Sequence, residues 1–282
     1  MGTDPRDQYS HWRLIIAVGV VMGLHATAYL IITGVEYHPI YIVKYFPVAF
    51  LYILAMVIGY AGLRYIALSI SSPICNSSGA VASLLCFFLL GQAMSFLQLA
   101  AVLLICGGIV ALAIYEKRQD DSARVVLKQD TDSKYRSSFL ALTLPILYCF
   151  IDGLGTFADA FVLDEKAYFS EAEANLSYEY IFFICAVFAY IYLTKVRKQS
   201  YLPQREKLRG LAAICETIGQ FFYVFAIADN AIVAAPMISS YSIFSVLFSR
   251  IFLKEKLSRR QYLIIIVVLI GIAMLGLAEE LL

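Results

Sequence analysis

Apolar stretches of about twenty residues alternate with short polar segments along nearly the whole chain. Such stretches cross a hydrocarbon core as helices, because lipid offers no hydrogen-bond partners to unpaired backbone groups. The pattern predicts an all-α, polytopic membrane bundle of about nine transmembrane helices, or ten if one further segment crosses. The nine predicted spans are 14–33, 41–63, 73–91, 96–115, 138–160, 178–194, 208–228, 232–253 and 261–278.

Composition supports the same class. Hydrophobic residues make up 61% of the 282 residues and charged residues 15%, whereas soluble domains carry about a quarter charged residues. The net charge is +1 and no basic face with interleaved aromatic residues is found, so we expect no nucleic-acid partner. All six cysteines fall in apolar stretches, and we therefore expect no disulfide, metal site or cofactor. The expected partners are a small-molecule substrate and the lipid bilayer, with a homodimer left open.

The charged loops predict the orientation. Six basic residues crowd the segment 195–209, opposed only by Glu206, and a second basic loop covers 254–260. The alternate loops carry mainly acidic residues, such as Glu36 and Asp229. Because basic loops favour the cytoplasm, we predict a cytoplasmic-membrane protein with its N-terminus in the cytoplasm and its C-terminus outside.

The chain contains an internal repeat. A shift of 163 residues aligns 44–114 with 207–277 without a gap. The matched positions include polar residues and glycines that chance would rarely align: Lys44 and Lys207, Tyr60 and Tyr223, Pro73 and Pro236, Ser77 and Ser240, Ser95 and Ser258, Gln98 and Gln261, Gly108 and Gly271.

Five spans separate each helix from its equivalent, and an odd number places the second copy upside down relative to the first. Inverted-topology repeats are common in secondary transporters. An old duplication kept only for packing is the alternative interpretation. We divide the chain into a first repeat of about four spans over 14–115, a polar connecting loop over 116–136, and a second repeat of about five spans over 137–280.

Short motifs recur in both copies. In the second, Val233-Ala234-Ala235-Pro236 enters a span that ends in Phe252-Leu253-Lys254-Glu255-Lys256-Leu257, followed by Gln261 and Gly271-Ile272. The first copy shows Ser71-Ser72-Pro73, Leu89-Leu90-Gly91-Gln92, Gln98 and Gly107-Gly108-Ile109. With these motifs the chain resembles the EamA branch of the drug/metabolite transporter superfamily.

The resemblance implies a transporter fold but does not identify a substrate. The family usually has ten spans in two sets of five, whereas four plus five are found here. Gln92 stands where the family has an acidic residue, which only Glu255 keeps. The family orientation also places both chain ends in the cytoplasm, unlike the orientation that the charged loops predict.

Ionisable groups at membrane depth are costly and are therefore candidates for function. Glu216 lies mid-span, with Gln220 and Tyr223 on the same helical face. Asp152 lies mid-span with Thr156 and Asp159 on its face, and Gly153 and Gly155 indicate close packing or an unwound helix. We expect Asp159 to be solvated at the external end. His25 lies near the middle of the first span.

A cavity lined by these groups would suit a cationic or zwitterionic solute, or exchange a proton with it. Each group also has a purely structural interpretation, as a hydrogen-bonding partner between helices. Asn76 in the first copy and Ser240 and Tyr241 in the second follow equivalent prolines, and we expect these segments to flank the cavity. Five tyrosines are expected in interfacial belts: Tyr37, Tyr41, Tyr45, Tyr178 and Tyr180.

Three functions fit a membrane bundle of this kind. The leading one is a secondary transporter of a small metabolite, such as an amine or amino acid, working by alternating access with or without proton coupling. An intramembrane enzyme is disfavoured because no H-E-x-x-H or G-x-S-x-G motif occurs, and no G-x-x-x-x-G-K-[ST] loop supports ATP-driven transport. The remaining alternative is a non-transporting receptor or assembly subunit with a transporter-like fold.

Overall fold

The computed structural model describes residues 7–63, 65–66, 68–91, 94–108, 111, 115, 140–166, 168–239, 242–254 and 257–280. These residues are mostly helical and include no strand. The helices, in chain order, are α1 Ser10–Thr33, α2 Ile40–Gly62, α3 Leu68–Cys75, α4 Ser78–Leu85, α5 Phe96–Gly108, α6 Leu140–Asp159, α7 Glu171–Ile191, α8 Lys207–Ser239, α9 Ser242–Phe252 and α10 Arg259–Glu280. Short π-helical turns extend α4, α6 and α7 to Leu90, Glu165 and Val196.

Six helical segments within the described residues are long and apolar enough to cross a membrane. They are Ser10–Thr33, Ile40–Gly62, Ile70–Leu90, Leu142–Leu163, Glu171–Val196 and Lys207–Asp229. The architecture agrees with the predicted polytopic helical bundle. The total of nine or ten spans stays a prediction.

Two predicted boundaries were wrong. Helix α7 begins at Glu171, seven residues before the predicted start, because Ser170 and Glu173 form a reciprocal capping box. Helix α8 runs without interruption from Lys207 to Ser239, although a break near residue 230 was predicted. The polar pair Asp229-Asn230 suggested a loop. Helix-favouring alanines surround this pair, however, and neither glycine nor proline is present to stop the helix there.

The third predicted span, 73–91, is interrupted near its start. Helix α3 ends at Cys75 and α4 begins at Ser78, three residues apart, soon after Pro73. The Ser77 hydroxyl donates to the Pro73 carbonyl at 2.6 Å, and the Asn76 amide donates to Ser72 Oγ at 2.9 Å. These side chains satisfy polar groups at a bend that lies within the membrane-spanning segment.

Helix α1 packs along α7 and α8, and α2 packs along α6. The contact between α1 and α7 is close because of two glycines. A Cβ added to Gly19 would overlap Ala186, and one added to Gly23 would lie 2.6 Å from the Phe183 ring. Small residues at such crossings let helix backbones approach one another in a membrane.

Two equivalent pairs of residues in the repeats have equivalent structures. Ser95 and Gln98 cap the start of α5, with the Ser95 amide donating to Gln98 Oε1 at 2.6 Å and the Gln98 amide donating to Ser95 Oγ at 3.2 Å. Ser258 and Gln261 cap α10 in the same way with the same two distances. The sequence match at these positions therefore corresponds to a shared local structure.

Helices α5 and α10 meet through a reciprocal contact. A Cβ added to Gly108 would overlap Val268, and one added to Gly271 would lie 2.8 Å from Ile105 Cγ1. The same shift of 163 residues relates Gly108 to Gly271 and Ile105 to Val268. The contact of Gly108 with Val268 is therefore equivalent, in the other repeat, to the contact of Gly271 with Ile105.

Four charged side chains form a network at one end of the bundle, namely Asp7, Arg13, Glu206 and Arg209. The network joins the N-terminal segment and α1 to the loop before α8 and the start of α8. The Arg13 guanidinium lies 3.1 Å from Glu206 and 3.3 Å from Asp7, and Arg209 pairs with both acids. The N-terminal segment and the 197–206 loop therefore lie at the same end of the bundle. The loop between α1 and α2 contacts α7. The Tyr37 hydroxyl in this loop hydrogen-bonds Ser177 on α7 at 2.9 Å, and burial raises the pKa of the Tyr37 hydroxyl.

Candidate functional site

Side chains from α2, α3, α4, α6, α7, α8 and α9 line a cavity of about 830 Å³. This volume lies within the usual range for small-molecule sites. The cavity brings together five residues that the sequence analysis singled out, namely Asn76, Asp152, Glu216, Gln220 and Tyr223. Their role in binding stays a prediction. Ser240 and Tyr241, also predicted to flank the cavity, lie outside the described residues.

Helix α8 contributes one continuous face to the cavity. Ala212, Glu216, Gly219, Gln220 and Tyr223 follow one another at helical spacing, so their side chains point into the same space. The Glu216 carboxylate interacts electrostatically with Asp152 across the cavity. The Gln220 Nε2 atom is buried and has no hydrogen-bond partner among the described residues.

Asp152 is positioned by close packing of α6 against α4. A Cβ added to Gly153 would lie 2.8 Å from Val81 and 3.0 Å from the Ser78 carbonyl oxygen. The close packing expected from this glycine is therefore confirmed. The hydroxyls of Ser78 and Tyr148 donate hydrogen bonds to the Asp152 carboxylate and fix its orientation.

Three hydroxyls beside Asp152 form a connected group that we call the hydroxyl ladder: Tyr52, Thr156 and Tyr223. Thr156 Oγ1 lies 2.7 Å from the Tyr223 hydroxyl and 3.3 Å from the Tyr52 hydroxyl, and the two tyrosine hydroxyls lie 3.2 Å apart. All three residues line the cavity. The hydroxyl ladder thus gives one wall of the cavity groups that both donate and accept hydrogen bonds.

Asp159 is not solvated at a helix end, as was predicted, but fully buried. It lies at the last residue of α6 and accepts a short hydrogen bond from the Tyr45 hydroxyl. The placement of Tyr45 and Tyr178 in interfacial belts was also wrong, since both are buried within the bundle. The reason is tertiary: α6 continues as a π-helical turn beyond Asp159, α2 packs along α6, and α8 packs against the turn.

His25 does not line the cavity but pairs with Glu179. His25 Nδ1 lies 2.8 Å and 2.9 Å from the two carboxylate oxygens of Glu179, and the Glu179 side chain is almost completely buried. The rings of Tyr29 and Phe221 pack around the imidazole. Whether His25 acts on a solute stays a prediction.

Glu179 was not predicted as a site residue. The predicted span begins at residue 178, where the Glu179 carboxylate would reach water, whereas α7 starts eight residues before Glu179. The capping box at Ser170 and Glu173 was the signal that would have located the true start.

The cavity is acidic. It contains the carboxylates of Asp152 and Glu216, and the described residues that line it include no lysine, arginine or histidine. Two acids, one free amide donor and several hydroxyls form a surface that suits a solute carrying positive charge. No group of three His, Cys, Asp or Glu side chains in the described part of the chain is placed to hold a metal ion.

Comparison with known families agrees with this architecture. Six apolar helices and a cavity that contains two carboxylates indicate a transporter-like multi-pass membrane protein. Residues 160–277 match the EamA-like transporter family, of the drug/metabolite transporter superfamily, from the end of α6 to near the end of α10. The match confirms the resemblance inferred from Ile232–Gly271. None of the curated proteins matches the chain.

Proposed function

We propose that this protein is a secondary transporter that carries a small cationic or zwitterionic metabolite, such as an amine or amino acid, across the cytoplasmic membrane. The single observation that supports this most strongly is the cavity, in which Asp152 and Glu216 meet without a basic residue among the described lining side chains. A positively charged solute would replace the missing counter-ion there, which makes its binding favourable.

We further propose that the two repeats are inverted and exchange conformations around this cavity. The reciprocal contacts of Gly108 with Val268 and of Gly271 with Ile105 support a pseudo-two-fold relation between the copies. Helix α1 precedes the aligned segment of the first copy as α7 precedes that of the second, and the close crossing of these two helices supports the same relation. Alternating access would then follow from rocking one repeat against the other.

Reconstitution in liposomes tests the function. We would measure uptake of radiolabelled putrescine, choline, lysine and leucine, with succinate as an anionic control, in the presence and absence of a pH gradient. Asp152→Asn and Glu216→Gln should abolish the uptake. Asp229→Asn is the matched control, because Asp229 is an exposed acid on the same helix as Glu216.

Each outcome separates one alternative. Undiminished uptake in both cavity variants would refute the site while leaving a transporter. No uptake of any probe by the wild-type protein, under either gradient condition, would favour a non-transporting receptor or assembly subunit. Succinate uptake exceeding that of the cationic probes would contradict the proposed charge preference.

A further inference from the structure

The Asp159 carboxyl group is isolated from water and from positive charge. The residue is 0% exposed, Tyr45 donates to Oδ1, and Oδ2 has no hydrogen-bond partner among the described residues. No ion pair reaches it within that part of the chain. An ionised carboxylate in such a position would have phenolic donors but would lack the counter-ion that a buried charge requires.

The groups that face Asp159 come from four helices and are all acidic or phenolic. Tyr45 and Tyr52 face it from α2, Tyr178 from α7 and Tyr223 from α8, while Asp152 lies on its own helix. None of these groups neutralises a carboxylate. A bound proton would do so, and would also turn Oδ1 or Oδ2 into a donor.

The hydroxyl ladder connects this buried carboxyl with the cavity. Its members Tyr52, Thr156 and Tyr223 all line the cavity, and the Tyr52 hydroxyl also interacts with the Asp159 carboxyl. Every hydroxyl in the ladder lies within 3.3 Å of another. Because each can donate and accept, a proton can pass along them without movement of the helices.

We propose that Asp159 is a proton-binding site, separate from the solute-binding acids Asp152 and Glu216, and that it exchanges its proton with the cavity through the hydroxyl ladder. A metal cation does not fit the site, because Na⁺- or Ca²⁺-type coordination needs several oxygen ligands, and among the described residues only the Asp159 carboxylate and the hydroxyls of Tyr45 and Tyr52 converge there. The use of this proton to drive solute movement rests on the proposed transport function; the proton site itself does not.

Infrared difference spectroscopy of the purified protein in lipid tests the site without any solute. The wild-type spectrum at neutral pH, minus that of Asp159→Asn, should show the C=O stretch of a protonated carboxyl that shifts in D₂O. Asp229→Asn is the matched control and should remove no such band. A carboxylate band in place of the C=O band in the wild-type minus Asp159→Asn spectrum would overturn the proposal.

Tyr52→Phe tests the route. The C=O band should remain, but its hydrogen–deuterium exchange should slow by about a hundredfold, the lower range for removal of one positioned proton-transfer group. Exchange at the wild-type rate in Tyr52→Phe would show that the hydroxyl ladder is not the route of the proton.

If Asp159→Asn does not fold, Tyr45→Phe replaces it. Loss of the Tyr45 donor should shift the same C=O band, and an unshifted band would exclude Asp159 as its origin. If these results hold while the wild-type protein transports none of the probes, the transport function fails and the proton site stands.

Discussion

The imidazole of His25 on α1 is held by the carboxylate of Glu179 on α7, with Nδ1 2.8 Å from Oε1 and 2.9 Å from Oε2. The two helices are also the ones that meet through Gly19 and Gly23. The His25–Glu179 pair and the close contacts of Gly19 and Gly23 therefore both hold α1 against α7. Within the membrane such a pair is costly to break, because neither lipid nor water replaces the lost partner.

The first prediction concerns this pair. His25→Ala leaves the buried Glu179 without its donor and should destabilise the protein by about 1–3 kcal/mol. Glu179→Gln should have a smaller effect, because the amide oxygen still accepts a hydrogen bond from Nδ1. Thermal unfolding followed by the fluorescence of Trp12, the sole tryptophan, would measure both variants. Identical melting of wild type and His25→Ala would show that the pair contributes nothing.

The second prediction concerns the contact between α5 and α10. Gly108→Ala should destabilise the protein by about 1–3 kcal/mol, since the added methyl overlaps Val268. The neighbouring Gly107→Ala is the control, because no described atom lies within 4 Å of a Cβ placed there. Combining Gly108→Ala with Val268→Ala should restore part of the loss. Thermal unfolding in which the two single glycine variants behave alike would rule out the contact.

The third prediction concerns the volume of the cavity. Gly219 lines the cavity, and no described atom lies within 4 Å of a Cβ added to it. Gly219→Leu should therefore fill solute space without disturbing the fold, and lower probe affinity by roughly tenfold. Gly210→Leu, on the same helix but outside the cavity lining, should leave uptake unchanged. Equal uptake kinetics for the two variants would place the solute elsewhere.

The fourth prediction concerns the inverted relation of the repeats. Lys44 is exposed next to Tyr41, whereas Lys207 is exposed next to Glu206 in the charged network at the end that holds the N-terminal segment. Cysteines placed at these two positions in a cysteine-free background should react with an impermeant maleimide from opposite sides of the membrane. A cysteine at Asp7 should react from the same side as the one at Lys207. Labelling of the cysteines at positions 44 and 207 from the same side of the membrane would contradict the inverted relation of the repeats.

Several features of the site could be predicted because they are local. Glu216, Gln220 and Tyr223 share a face of α8 since the period of a helix fixes their relative directions, and the same holds for Asp152 and Thr156 on α6. The helix caps of α5 and α10 follow from Ser95, Gln98 and their equivalents in the second copy. Each of these relationships involves residues fewer than eight positions apart.

One error arose where distant segments meet, and two were local errors at helix boundaries. Asp159 and Tyr45 are 114 positions apart, and no periodicity of either helix indicates that each buries the other. Glu179 appeared to lie near water because the start of α7 was placed too late, although its capping box was visible in the sequence. The continuity of α8 past Asp229 was likewise missed because two polar residues outweighed the helix-favouring residues around them.

The sequence by itself determined that the chain is a helical membrane protein with a repeated segment, and that Asp152 and Glu216 lie mid-span on defined helix faces. These properties follow from hydropathy, from the helical period and from the need to satisfy backbone hydrogen bonds in lipid. Only the tertiary structure decided that Asp152 and Glu216 share one cavity, that His25 belongs with Glu179, and that Asp159 is enclosed by tyrosines. Such pairings depend on helix crossings, which glycines such as Gly19, Gly108 and Gly153 permit but whose partners no local pattern specifies.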